Sequence, residues 1–203
     1  MENLSPPHTN DTNSNATLSD KKDGRSIIHD IFDLVELVAI AFGILLFVSA
    51  FFFRHSVVSG DSMLSTLHNG EHLLISNLLY EPQAGDIIVC QLEPEQEQKF
   101  SHISPKEPLI KRVIATEGQR VKIEDGELYV DGIKIEESYV FRDGRDSIVY
   151  MQEITVSPNH VFVMGDHRND SLDSRYFGEI DSRLIIGRVI LRIFPFNSFG
   201  SVN

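Results

Sequence analysis

"VKIEDGELYVDGIKI", residues 121–135, decides the class of fold. Apolar and polar residues alternate on both sides of Asp125-Gly126, a dipeptide suited to the left-handed backbone of a two-residue hairpin turn. The pattern predicts two antiparallel strands, and a second Asp-Gly at Asp131-Gly132 turns the chain again. The same signals recur outward from this hairpin. "EHLLIS", "DIIVCQL", "LIKRVIAT", "HVFVMG" and "GRVILRIF" are short, rich in β-branched residues and bounded by Gly, Asp, Asn or Pro. After residue 54 no long amphipathic helix is predicted, only short ones near Ser62–Leu67 and Asp181–Ile185. The class is mainly β, with small sheets or a barrel. The polar insertion "EPEQEQKFSHISPKEP", residues 93–108, reads as a solvated, mobile loop.

The first 53 residues obey different rules. Asn, Ser, Thr and Pro dominate residues 1–25, leaving too few large apolar side chains to offset the entropy of folding. Residues 1–30 are therefore expected to be a disordered tail. "IFDLVELVAIAFGILLFVSAFFF", residues 31–53, carries no charge from Leu37 to Phe53. It is about the length that spans a bilayer core. It begins too late and runs too long for a cleaved signal sequence. Lys21, Lys22 and Arg25 precede it and Arg54 alone follows closely. The excess of basic residues on the N-terminal side predicts a cytoplasmic tail, one transmembrane helix and an extracytoplasmic domain over residues 54–203.

Charge and cysteine content narrow the chemistry. The formal net charge is −12, from 18 basic and 30 acidic residues, and no basic stripe is present for nucleic acid. The single cysteine, Cys90, excludes an intramolecular disulfide and a cysteine-built zinc site. His68 and His72 have helical metal spacing, but "HNGEH" contains a helix-breaking glycine. Neither metal nor cofactor is expected.

Three stretches remain as carriers of chemistry. "SGDSMLSTL", residues 59–67, holds Ser62 in a glycine-marked bend. A serine there serves most simply as a cap or turn residue. A helix starting nearby would also leave the Ser62 N–H free to stabilise an oxyanion. A serine nucleophile needs a base, and no histidine stands in a triad pattern. "LIKRVIAT" offers Lys111 inside an apolar strand. Either Lys111 and Arg112 snorkel from an edge strand, or Lys111 is desolvated, its pKa lowered, and able to take the Ser62 proton. Arg112 stays charged and requires a carboxylate. "VMGDHRNDSLDSRYFGEI", residues 163–180, supplies Asp166, Arg168, Asp170, Asp173 and Arg175, with signs interleaved as in an ordered loop. Ser171 within it is a hydroxyl available to orient Lys111.

In this order behind one apolar anchor, these stretches resemble bacterial type I signal peptidases, in particular the single-anchor Gram-positive forms. "GDSMLSTL", "GDIIV", "KRVIATEGQ" and "GDHRNDSLDSRYFG" match the family's successive motifs, and the likeness covers roughly residues 37–197. The resemblance implies a signal-peptidase type of fold and removal of signal peptides from exported precursors through an acyl-enzyme. Ser62 would be the nucleophile, Lys111 the general base and Ser171 the residue that orients the lysine. Arg112, Asp166, Asp173 and Arg175 would be structural supports. Val58, Met63, Leu67 and Ile110 would line small pockets for the A-x-A pattern of export signals. Membrane lipid and the secretion machinery would be the other partners.

The chain departs from the family pattern at several places. Gly60 stands where some members carry an oxyanion-binding hydroxyl, and Ser65 replaces a proline. Ala115 replaces a glycine, so a negative φ is required there. Glu117 and Gln119 replace a proline and an aspartate, and His167 and Asp170 replace asparagines. These changes favour, as the alternative, a non-catalytic or specialised relative that assists surface-protein assembly. A repressor-type serine–lysine self-cleaving protease is disfavoured by the anchor and the acidic charge. A signal peptidase of the endoplasmic-reticulum kind would carry histidine in place of Lys111.

Overall fold

The computed structural model describes residues 20–100, 107–144 and 150–202, with side chains from residue 27 onward. The chain divides after Ser49 into two compact units. The described part of the first is helix α1 (Asp20–Phe52), which runs on into the second. Within it Ile27–Phe52 contains an 18-residue window of mean hydropathy 2.5 and is long and apolar enough to cross a membrane. Residues 20–30, expected to be disordered, are helical in the structure. Extending an existing helix fixes one residue per added hydrogen bond, whereas starting one is costly. The polar turn therefore continues the apolar one. Residues 1–19 of the expected tail lie outside the described residues.

Among the described residues the second unit holds eleven strands: β1 (Phe53–Val57), β2 (His72–Ser76), β3 (Ile87–Cys90), β4 (Leu109–Thr116), β5 (Arg120–Glu124), β6 (Glu127–Val130), β7 (Ile133–Lys134), β8 (Met151–Thr155), β9 (His160–Met164), β10 (Ile180–Asp181) and β11 (Ile185–Phe194). Seven form one sheet in the order β1-β2-β11-β3-β4-β9-β10, and four form a second in the order β7-β6-β5-β8. The mainly β class holds. Phe53, expected as the last residue of the membrane run, instead opens β1 and pairs with Ser76.

The hairpin that opened the reading is β5–β6, with Val121 opposite Val130 and Glu124 opposite Glu127. Asp125 and Gly126 both have positive φ, 52° and 76°. This is the backbone that a two-residue turn needs if its twist is to match that of its strands. The inward residues Val121, Ile123, Leu128 and Val130 pack against Phe162 and Met164 of β9, joining the small sheet to the large one.

Strand β4 lies at the centre of this arrangement. Its six interior residues are all buried, because both faces are covered. Ile110 faces the cluster of Val58, Met63 and Val89. Val113 faces Ile88, Val163 and Ile180. The alternation expected from period 2 holds from Leu109 to Val113. It breaks at a register shift between Val113 and Ala115 against β9. Ala115 is fully buried and has no positive φ, so the residue in place of glycine fits without strain there.

Two local expectations are corrected. The 62–67 segment is a set of turns rather than a helix, closed by Leu67 N–H donating to Met63 O at 2.8 Å. Its ends are pulled away from a continuing helix by strands β1 and β2 on either side. Residues 94–100 of the supposed mobile insertion form helix α2 (Pro94–Phe100). Proline at its first position and Glu95 and Glu97 in its first turn suit a helix N-terminus. The Gln96 side chain docks it by donating to Phe177 O and Glu179 O at 3.0 and 3.2 Å. Residues 101–106, with His102, lie outside the described residues. Asp181–Ile185 does hold a short turn of 3-10 helix, Ser182–Leu184.

Replacing Gly126 with valine would force a β-branched side chain into the left-handed region, at about 1–2 kcal/mol. The variant is expected to unfold at lower temperature in detergent while keeping its β-rich circular dichroism.

Candidate active site

Lys111 and Arg112 are adjacent on β4 and point to opposite faces. Both are 3% exposed. Lys111 lies opposite Ile88 of β3, on the apolar face between Leu109 and Val113. Burial there drives its pKa below the ordinary 10.5, against smaller upward pulls from Asp173, Cys90 and Asp166. Its amine meets one hydroxyl: Nζ is 2.8 Å from Ser62 Oγ. A charged amine donates across that distance, and a neutral one accepts the serine proton. The Lys111 field reaches Cys90 in turn, but burial dominates and pushes its thiol up to about 12, leaving it inert.

Ser62 is held by its own turn and by the loop after β9. Ser62 O accepts from His167 N–H at 3.0 Å. Gly165 sits so close that a Cβ on it would fall 2.5 Å from Ser62 O and 2.3 Å from Ser171 Oγ. Only a residue without a side chain lets the loop pass here. Gly60 N–H is occupied by Asn69 Oδ1 at 3.0 Å. Among the described residues the Ser62 N–H donates no hydrogen bond, so it is available to a developing oxyanion.

On the other face, the Arg112 guanidinium grips Asp166 with two bonds, Nε to Oδ1 at 2.9 Å and Nη2 to Oδ2 at 2.7 Å. Thr66 Oγ1 donates to the same carboxylate at 2.5 Å, and Arg112 Nη1 donates to Gly85 O at 2.9 Å. The Tyr139 ring stacks over the guanidinium at 4.0 Å. A second fork closes the loop on itself. Arg175 Nε and Nη2 each reach an Asp173 oxygen at 2.7 Å, and Asp173 Oδ2 also accepts Gly165 N–H at 3.0 Å. Asp173 caps the short helix α3 (Ser174–Phe177) as well.

Not every expected site residue lands as imagined. Ser171 is buried, but its hydroxyl makes no hydrogen bond, to Lys111 or to any other group. It is turned toward the Gly165 backbone instead. Val58, Met63 and Ile110 line a cavity of about 90 Å³ beside Ser62 and Lys111. Leu67 does not line it. It is fully buried in the core behind the turn, among Leu73, Ile75 and Val189. A wider groove of about 510 Å³ runs on the other side of Ser62, past Asn169, Ser171 and Tyr176.

Several supporting residues escaped the sequence reading. Thr66 and Gly85 bind the Arg112–Asp166 pair, and Glu137 forks onto Arg168. Asp143 pairs with His167, and Glu71 with Arg192. Their partners lie far along the chain, so no local pattern marks them. The unexpected residues are absorbed locally. The Gln119 Oε1 accepts from Thr116 N–H at 2.9 Å, and Glu117 Oε2 from Asn159 N–H at 2.7 Å.

A serine hydroxyl in contact with a desolvated lysine, beside a free backbone N–H, is the equipment of a serine–lysine hydrolase. The comparisons agree with that class. Residues 31–194 match the family model of signal peptidase, peptidase S26, and the chain belongs to this family. A probable signal peptidase I-1 of Synechocystis sp. is 33% identical over 83% of this chain and 85% of its own length. Signal peptidase I of Bacillus caldolyticus is 36% identical over 73% and 84%. That of Bacillus licheniformis is 31% identical over 83% and 91%.

Asp166→Ala would leave the Arg112 charge buried without a partner, at about 3–5 kcal/mol. We expect a large fall in unfolding temperature and loss of activity together. Asp173→Asn, which keeps the acceptor for Gly165 N–H, should be milder in both measurements.

Proposed function

We propose that this chain is a membrane-bound signal peptidase in which Ser62 is the nucleophile and Lys111 the general base. The observation that carries this is the 2.8 Å contact between Lys111 Nζ and Ser62 Oγ on a strand buried from both sides. Desolvation supplies the neutral amine that the chemistry requires. Lys111 takes the Ser62 proton as Oγ attacks the carbonyl carbon of the residue before the cut. The oxyanion is met by the Ser62 N–H. As the C–N bond breaks, the lysine proton passes to the leaving amine, and an ester to Ser62 remains. Water, deprotonated by Lys111, then releases the signal peptide and restores the serine.

The substrate is an exported precursor bearing a signal peptide of the A-x-A kind. The cavity is small, and Val58, Met63 and Ile110 give it an apolar wall, which favours an alanine-sized side chain before the cut. The segment would lie extended, binding by main-chain hydrogen bonds as an added strand does. Ser171 supports the site by filling the space at Gly165, and the Arg112–Asp166 and Arg175–Asp173 forks hold the loop. Helix α1 anchors the chain as a single pass in lipid. The excess of Lys21, Lys22 and Arg25 over Arg54 supports an N-terminus in the cytoplasm and residues 54–203 outside, within reach of the secretion machinery. Neither metal nor cofactor takes part in these steps.

Ser62→Ala and Lys111→Met should each abolish precursor cleavage in detergent while remaining folded. Processing by Ser62→Ala at the wild-type rate would leave a non-catalytic role. The pH dependence follows from the lowered lysine pKa. Cleavage should rise with pH through a value below 10.5, as the amine becomes neutral. Folded-state stability should move the same way. Below that value the fold must hold a buried ammonium, and between it and 10.5 the unfolded chain binds the extra proton. Lys111→Met should therefore be more stable than wild type at neutral pH and lose this dependence.

A further inference from the structure

We infer that His167 is a positioning residue that aims the oxyanion-binding N–H of Ser62, acting through the Asp61–Ser62 peptide plane. The inference rests on Ser62 being the nucleophile. His167 is 5% exposed and touches the nucleophile turn twice. Its backbone N–H donates to Ser62 O at 3.0 Å, and its ring Nδ1 lies 3.3 Å from Asp61 O. A carbonyl oxygen only accepts, so Nδ1 must carry the proton in this contact. The Asp61–Ser62 bond is trans, so Asp61 C=O and Ser62 N–H belong to one rigid plane and point in opposite directions. Fixing the carbonyl from behind fixes the direction of the N–H in front. The same hydrogen bond polarises the amide and strengthens its donor end.

The ring is itself held from its far side. Nε2 lies 3.1 Å from Asp143 Oδ2, and the Phe141 ring packs edge-on with centroids 4.9 Å apart. The ring is thus bracketed by Asp61 O at Nδ1 and the Asp143 carboxylate at Nε2. Of the loop's other charged groups, Asp166 pairs with Arg112, Arg168 with Glu137 and Asp173 with Arg175, while Asp170, whose N–H donates to His167 O, has no ion pair among the described residues. Asp143 is thus the carboxylate that faces this histidine, and it also accepts from Asn169 Nδ2 at 2.6 Å. An asparagine at position 167 keeps an amide donor for Asp61 O.

An oxyanion exists only in the transition state, so misdirecting its donor lowers kcat and leaves KM nearly unchanged. The test uses the full-length protein in detergent, with steady-state precursor cleavage by wild type, His167→Phe and His167→Asn. His167→Phe keeps a buried ring without donors and should lose about 10–100-fold in kcat, less than outright removal of an oxyanion donor. Its KM should stay within about threefold. His167→Asn should recover most of the loss. A peptide aldehyde, whose adduct with Ser62 carries an oxyanion-like oxygen, should bind His167→Phe more weakly by about the same factor as kcat falls. The cleaved signal peptide should bind both equally. Should His167→Phe not fold, His167→Ala takes its place with the same expectation. Wild-type kcat in the donor-free variant, a loss confined to KM, or an asparagine variant as impaired as phenylalanine would overturn the assignment. Ser62→Ala separates the two readings. If it cleaves normally the nucleophile assignment falls, and if it is dead while His167→Phe is fully active only this inference falls.

Discussion

Three segments meet at the Arg112–Asp166 ion pair: the strand of Lys111, the loop after β9 and the turn of Ser62. The pair sits one residue from Lys111 and four from Ser62 through Thr66. Two fully buried charges are costly to desolvate, and they persist because the fork, Thr66, Gly85 and Tyr139 leave no donor or acceptor of theirs exposed to an apolar wall. The energetic worth of such a pair is modest beside that of a well-packed core. What it supplies is geometry. With the guanidinium fixed, Lys111 on the opposite face of the strand has one place to put its amine.

The two cations of β4 are treated in opposite ways. Arg112 is saturated with acceptors and stays charged. Lys111 has a single hydroxyl as hydrogen-bond partner, and the carboxylates that influence it, Asp173 and Asp166, are each spent on an arginine. Arg175 offsets part of the upward pull of Asp173 on the lysine, and burial does the rest. The loop does more than support the site mechanically. Its acids Asp166 and Asp173 are paired within the fold, and the buried amine of Lys111 is left with a lowered pKa.

The strands were legible because their chemistry is local. Alternation and Asp-Gly turns mark β5 and β6, and the run of apolar residues around Lys111 and Arg112 marks β4 almost to its ends. The Ser62 turn, the Lys111 strand and the charged loop were readable as separate pieces, and the family likeness supplied their assembly. What stayed hidden depends on partners distant in sequence. Asp143 with His167, Glu137 with Arg168 and Glu71 with Arg192 leave no periodic trace. Helix α2 did leave one, in Pro94 and the acidic residues beside it, but its polarity reads equally as loop until Gln96 finds the 177–179 backbone. The Ser171 contact failed for a related reason: which way a hydroxyl turns depends on Gly165, eye to eye with it across the loop.

The place of β11 in the large sheet has a consequence for biosynthesis. It is the last strand among the described residues, yet it lies between β2 and β3 in the middle of the order. Strands β1 and β2 flank the Ser62 turn on one side of it, and β3 and β4 carry Lys111 on the other. Arg192 on β11 also grips Glu71 and the carbonyl of Thr66, at the end of that turn. A ribosome-bound chain that has not yet released β11 carries Ser62 and Lys111 but lacks the strand that makes the sheet continuous between them.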